Sequence, residues 1–178
     1  MTGRGRRRAA DEQRLRQLLE DHHEAILRFF ARRLDPASID DATAAVFETA
    51  WRRIEDVPLG DASGAWLYGV ARNTLRHEQR SWTRRRNLDE RIARESPRPG
   101  DADPADAIAE VDRIRRAAAH LNEPDRELLE LISWEQLGPA ELATVLGCSV
   151  NAATIRVHRM RKALLHHLDE SNSEELTR

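Results

Sequence analysis

The chain has 178 residues, 40% hydrophobic, 34% charged and 4% aromatic, with 29 basic and 31 acidic side chains and a formal net charge of −2. That is enough for one ordinary domain or two small ones with aliphatic cores. No apolar run approaches the length of a membrane-spanning helix, and the single cysteine, Cys148, can form neither an internal disulfide nor a multi-cysteine zinc site. No apolar segment follows the basic start MTGRGRRRAADEQ, so a secretory signal is not expected and the default compartment is the cytoplasm.

Periodicity predicts helix throughout, with no sustained strand alternation. Residues 11–34 place Leu15, Leu18, Leu19, Ile26, Leu27, Phe30 and Leu34 at three- and four-residue steps, and Asp35-Pro36 ends that helix. Ser38 reads as the cap of a second helix, whose stripe is Thr43, Val46, Phe47, Ala50, Trp51 and Ile54. The loop VPLGDASG follows. A third helix starts near Ala65, buries Trp66, Leu67, Val70, Ala71, Thr74 and Leu75, and runs into an arginine block. Residues 95–107, ESPRPGDADPADA, hold three prolines, a glycine and four acids, and read as a flexible linker. Helix resumes with Ile108, Val111, Ile114, Ala118 and Leu121. Asn122-Glu123-Pro124 starts another helix, which carries Leu128, Leu129, Leu131 and Ile132. The tail DESNSEELTR reads as frayed. The expected architecture is all-α: two small helical domains, 11–94 and 108–168, joined by the linker at 95–107.

Charge is segregated along this order. Residues 72–86 hold six arginines against Glu78, and 152–167 hold four basic residues and no acid. Residues 35–61 hold seven acids against Arg52 and Arg53, and 101–141 hold eleven acids against four arginines. Basic blocks suit polyanions through counterion release. Acidic blocks face solvent or a basic protein partner.

The segment 139–164, PAELATVLGCSVNAATIRVHRMRKAL, has the parts of a helix-turn-helix. Pro139 begins a short helix with Leu142, Ala143 and Leu146 inward, and Gly147 supplies a left-handed turn. Cys148 and Val150 would plug the space between the helices, and Ser149 would cap the second one. That helix has an apolar face of Ala153, Val157, Met160 and Leu164 opposite Arg156, His158 and Arg159. Such a helix fits the major groove. An ordinary helical hairpin with a solvated basic face would read the same way.

The strings DDATAAVFETAWRRI and GAWLYGVARNTLRHEQRSWTRRR, then a linker, then this helix-turn-helix, resemble a bacterial RNA polymerase sigma factor of the extracytoplasmic-function group. The resemblance spans roughly residues 20–90 and 108–166. It implies a factor that binds core RNA polymerase, recognises minus-thirty-five and minus-ten promoter elements, promotes strand opening and directs initiation. It implies docking of Asp40, Asp41 and Glu48 on the clamp helices of the largest catalytic subunit. Asp41, Phe47 and Trp51 match the family pattern, whereas Ala44 and Ala45 replace its usual glutamine and acid. Phe47 and Trp51 also lie on the apolar stripe, where core packing is the simpler role.

The resemblance further implies that the VPLGDASG loop, with Asp61, accepts a base flipped from the non-template strand. The helix after it would present Arg72, Asn73, Arg76, Arg80 and Arg84 to the neighbouring DNA. Trp82 fits stacking on a base or packing on the lobe equally well, and Asn73 fits a DNA contact or an internal hydrogen bond. In the recognition helix, Asn151, Ala152, Thr154, Ile155 and His158 would face bases after the Ser149 cap, with Arg156 and Arg159 nearer phosphates. Thr154 departs from the family, which commonly has a cation there. An anti-sigma factor is an implied partner; membrane insertion is not expected.

Nothing else in the chain points to chemistry of its own. The pairs His22-His23 and His166-His167 are adjacent and cannot chelate at helical ligand spacing, so no metal or other cofactor is expected. Cys148 reads as a small core residue rather than a redox sensor. No phosphate loop, nucleophile elbow or carboxylate pair occurs, so no catalytic residue and no enzyme activity are expected. A DNA-binding regulator that never joins polymerase, or a helical adaptor, are the readings from other classes.

Overall fold

Arginine and alanine are good helix formers, and the basic N-terminal segment uses both. The first helix, α1, accordingly spans Gly3–Ala31, beginning well before the predicted residue 11. The computed structural model describes residues 3–86 and 105–175, with side chains from 5–78 and 111–169. Among the described residues every regular element is an α-helix, and none is long and apolar enough to cross a membrane. The chain divides into two compact units, Met1–Pro97 and Arg98–Arg178. Most of the predicted linker lies outside the described residues; its last three positions open the fourth helix.

In the first unit α1, α2 (Pro36–Arg52) and α3 (Ala62–Arg86) pack pairwise. The second helix starts at Pro36 rather than after Ser38, because proline's fixed φ and missing N–H suit the first helical position. Asp35 is the flanking residue, and the Ser38 hydroxyl donates to its carboxylate at 3.2 Å from inside the first turn. The core joins Leu18, Ile26, Phe29 and Phe30 of α1 to Val46, Phe47 and Ala50 of α2 and to Leu67, Ala71 and Leu75 of α3. Phe29, absent from the predicted stripe, is buried edge-on against Phe30 at 5.3 Å, with the Arg33 guanidinium 4.0 Å over its ring. Trp51 and Trp66 are only half-buried, and Arg53 lies over Trp66.

The second unit holds α4 (Ala105–Ala119), α5 (Glu123–Ser133), α6 (Pro139–Leu146) and α7 (Val150–Glu175), with α7 packed on the other three. Asn122 caps α5 by accepting from the Asp125 N–H at 2.9 Å. Arg126 donates from α5 to the carbonyls of Ala119 and Leu121, satisfying the C-terminal end of α4. The α4 face differs from prediction. Val111 and Ile114 are exposed, and α4 buries Ala117 instead. At the other end, α7 stays helical to Glu175, further than the frayed tail expected from its polarity.

One polar group in the first core is unsatisfied. Thr43 is 3% exposed, and its Oγ1 has no hydrogen-bond partner among the described residues. Thr43→Val removes that hydroxyl without changing branching at Cβ, so it should stabilise the unit by about 1 kcal/mol. Urea unfolding of the two chains measures the difference.

Candidate nucleic-acid interface

The helix-turn-helix is built by local chemistry. The Gly138 N–H donates to the Glu141 carboxylate at 2.7 Å, which seats α6. Its far end closes on Gly147 at φ 62° and ψ 41°, where the Cys148 N–H reaches the Ala143 carbonyl at 3.0 Å and the Gly147 N–H that of Thr144 at 3.3 Å. This is a Schellman closure, and a side chain at position 147 would strain it. Two residues on, the Ser149 hydroxyl accepts from the Ala152 N–H at 3.2 Å and starts α7. The expected plug is different: Cys148 is half-buried and Val150 is exposed at the helix start, while Val145 and Ala153 are buried.

With Ala153 and Met160 buried, the opposite side of α7 presents Asn151, Thr154, Ile155, Arg156, His158 and Arg159, all exposed, with Ala152 half-buried beside them. The Thr154 hydroxyl donates to the Val150 carbonyl at 2.9 Å, so its proton is committed to the helix. Amide, imidazole and guanidinium groups on one face can reach base edges and phosphates together.

In the first unit the loop between α2 and α3 is fastened to α1. The Arg14 guanidinium donates to the Ile54 carbonyl at 2.9 Å and also to the Val57 carbonyl. His22 Nε2 and Ser63 Oγ are 2.8 Å apart, in a hydrogen bond whose donor depends on the imidazole tautomer. Gly64 makes room for that ring: a Cβ there would lie 3.2 Å from His22 Cε1. Between helix and loop lies a cavity of about 450 Å³, within the range of small-molecule sites. Arg14, Gln17, Asp21 and His22 line one side, Leu18 the floor, and Pro58, Leu59, Asp61 and Ser63 the other. Gln17 Nε2 donates to Asp21 at 2.9 Å. The carboxylates of Asp21 and Asp61 can accept from the amino groups of a base and would repel a phosphate.

Of the residues lining this cavity, the sequence pointed to Asp61 and the loop but not to Arg14, Gln17, Asp21 or His22. Their only signal was that they lie off the apolar stripe of α1.

The remaining predicted residues divide. Asp40, Asp41 and Glu48 are exposed; Asp41 and Glu48 lie on the side of α2 away from its buried Thr43, Val46, Phe47 and Ala50, whereas Asp40 is one turn before Thr43 on the stripe's own side, and Glu48 lies 3.7 Å from Arg52. On α3, Asn73 is exposed, but Arg72 and Arg76 are half-buried rather than fully displayed. They flank the buried Ala71 and Leu75, against which long arginine stems can lie. The side chains of Arg80, Trp82 and Arg84 fall outside the described residues.

Residues 18–86 match the family model for Sigma-70 region 2, and residues 112–164 that for Sigma-70, region 4. The chain is 32% identical over 169 residues to the ECF RNA polymerase sigma factor SigL of Mycobacterium tuberculosis, covering 91% of this chain and 93% of that protein. It is 27% identical to the RNA polymerase sigma factor CnrH of Cupriavidus metallidurans over 76% of each chain. Among solved structures, the sigma factor RpoE in complex with the anti-sigma factor NepR from Bartonella quintana superposes with a TM-score of 0.62 at 21% identity, over 86% of this chain and 96% of that one. CnrH in complex with the cytosolic domain of CnrY gives 0.56 at 25% identity, over 88% of each.

The fastening of the loop is testable by itself. Arg14→Ala leaves the Ile54 and Val57 carbonyls without their charged donor, a loss of about 1.5–3 kcal/mol. Hydrogen exchange at residues 54–61 should then quicken by about tenfold or more, with amides in the middle of α2 unchanged. Arg14→Lys, which cannot donate as a fork to two carbonyls, should restore only part of the protection.

Proposed function

The chain belongs to the extracytoplasmic-function group of the sigma-70 family, and we propose that it joins core RNA polymerase, reads both promoter elements and assists strand opening at the start of transcription. Sigma factors are initiation factors rather than enzymes, so bond formation belongs to the polymerase. We assign residues 11–94 to core docking and the minus-ten element, 95–107 to a linker, and 108–168 to the minus-thirty-five element.

One observation carries the reading. The same chain pairs a helix-turn-helix suited to duplex DNA with a cavity whose carboxylates suit a base removed from a duplex. A regulator that only bound duplex would need no such cavity. Opening DNA costs a few kcal/mol per unstacked step, and capture of the extruded base offsets it. The cavity would hold the flipped base of the non-template strand between Asp21 and Asp61. Asn73, Arg72, Arg76, Arg80 and Arg84 would serve the adjacent strand and duplex. Asn151, Ala152, Thr154, Ile155 and His158 would face bases of the minus-thirty-five element, after the Ser149 cap, and Arg156 and Arg159 its phosphates.

The acidic side of α2 cannot lie on phosphate. In this reading Asp40, Asp41 and Glu48 meet the clamp helices of the largest polymerase subunit, with Ala44 and Ala45 contributing no polar contact. The work is cytoplasmic. A sigma factor of this fold has been solved with the anti-sigma factor NepR, and an anti-sigma factor is included here among the partners.

Run-off transcription with purified core polymerase tests the whole: the chain should yield promoter-specific transcripts that core alone does not. Duplex binding in gel shifts without any transcript would favour a stand-alone regulator instead. Within the recognition helix, Arg159→Ala should weaken binding to all minus-thirty-five sequences alike and lower the salt slope by about one unit. His158→Ala should change which sequences are preferred; an equal loss on every sequence would reverse that assignment.

A further inference from the structure

The basic start of the chain, residues 1–16, holds six arginines against Asp11 and Glu12. Arg6, Arg7, Arg8 and Arg16 are all exposed on α1. Arg8 pairs with Glu12 at 3.1 Å, one turn on in the same helix. Arg7 lies 3.4 Å from Glu55, with the two side chains 76% and 72% exposed. Exposed pairs of this kind contribute little and exchange readily for another anion. Position sets this end apart from an ordinary solvated charge run. Along α1 the partners from the neighbouring loop come in order: Ser63 at His22, Val57 and Ile54 at Arg14, Glu55 at Arg7. The basic end therefore continues past the cavity, by about 10 Å of helix from Arg14 to Arg7. In the other direction Phe29 meets Tyr68, with 5.9 Å between ring centroids, so α3 runs beside α1 in the same sense. Arg72 and Arg76 lie further along α3, away from the cavity. The cavity, with its acids Asp21 and Asp61, thus stands between two basic helical segments on opposite sides of it.

We propose that the first turns of α1, through Arg6, Arg7 and Arg8, form a phosphate-binding arm for the opened non-template strand on the start-site side of the cavity. This rests on the reading that the cavity receives an extruded base, and assigns a separate contact to separate residues. A strand with one base in the cavity leaves it in two directions. One leads back to the duplex beside α3, and the other runs along α1 towards Arg8, Arg7 and Arg6. The acids of the cavity repel phosphate, so backbone charge has to be neutralised outside it. Residues 1–16 hold no aromatic side chain on which a base could stack, so the contacts are to phosphate and independent of sequence. Guanidinium suits that task, because its fork of donors matches phosphate oxygens. An acidic protein surface is the other occupant such charge could take. Continuity with the cavity favours the strand, since the arm begins where the cavity ends.

The test uses holoenzyme assembled from core polymerase and the full chain, on promoter DNA with a pre-opened minus-ten segment. One DNA continues the non-template strand to the start site; the other ends that strand after the minus-ten segment. Dissociation constants are measured by filter binding over a range of KCl concentrations. Arg6→Gln/Arg7→Gln/Arg8→Gln should bind the long strand about tenfold more weakly than the wild type, with a salt slope lower by about two units. On the short strand the two should agree. Arg6→Lys/Arg7→Lys/Arg8→Lys keeps the charge and should keep most of the affinity. Glu55→Gln, which breaks only the ion pair with Arg7, should match the wild type on both DNAs. Wild-type affinity of the glutamine variant for the long strand would overturn the arm. So would an equal loss on both DNAs, or failure of that variant to assemble with core polymerase, because the arginines would then serve folding or an acidic protein partner. If the wild type holds the short strand and gains nothing from the long one, the arm falls and the reading of the cavity stands. If it holds neither, the reading of the cavity fails first and the arm falls with it.

Discussion

Two main-chain carbonyls, those of Ile54 and Val57, set the organisation of the N-terminal unit. Both side chains are buried, so the segment leaving α2 must run against the bundle, where its carbonyls have left helical pairing. Buried carbonyls need donors. The Arg14 guanidinium supplies them from α1 as a fork, which no other side chain does with the same fixed geometry. The loop therefore takes its position from a helix earlier in the chain. The cavity is the space left between the two, and the outward course of Pro58, Leu59 and Gly60 follows from the inward anchoring of Val57 and Ser63.

The C-terminal unit is organised by contacts of short range. Each junction closes through residues a few positions apart: Asn122 with Asp125, Gly138 with Glu141, Ala143 with Cys148, and Ser149 with Ala152. Such contacts fix where helices begin and end but leave their packing to apolar faces. Here α7 does that work, burying Ala153 and Met160 against its neighbours while its other side stays polar. The two units thus hold their candidate sites by different means, one through a long-range tether and the other through capped helix ends.

That difference also explains what could be read from the residues alone. The Gly147 turn, the Ser149 and Asn122 caps and the inward Ala153 and Met160 follow from neighbours in sequence or from helical period, and the structure has them. The bonds of Arg14 to the loop and of His22 to Ser63 join residues about forty positions apart, and nothing local marks either residue. Period gives the angle of a face but not which neighbour will cover it. Val111 and Ile114 therefore read as core although both are exposed and Ala117 is buried. Ser38 was a reasonable cap by residue type, but Pro36 starts the helix earlier. The reach of α1 to Gly3 depends on helix propensity without any apolar stripe, which periodicity does not report.

The chain as a whole is slightly acidic, yet in the proposed role it binds a polyanion, and segregation of charge resolves this. The exposed face of α7 carries Arg156 and Arg159 with no acid between residues 152 and 167. Contacts made there release counterions and weaken steeply with salt. The cavity carries Asp21 and Asp61 against the single guanidinium of Arg14, which is already bonded to main chain. In the proposed role its attraction is for base edges, so its share of binding would depend little on salt. In that role positive charge would draw the duplex to one unit without drawing phosphate into the cavity of the other. In this reading the acids of that cavity work as a filter, since a backbone phosphate entering it meets two carboxylates and an extruded base meets two acceptors.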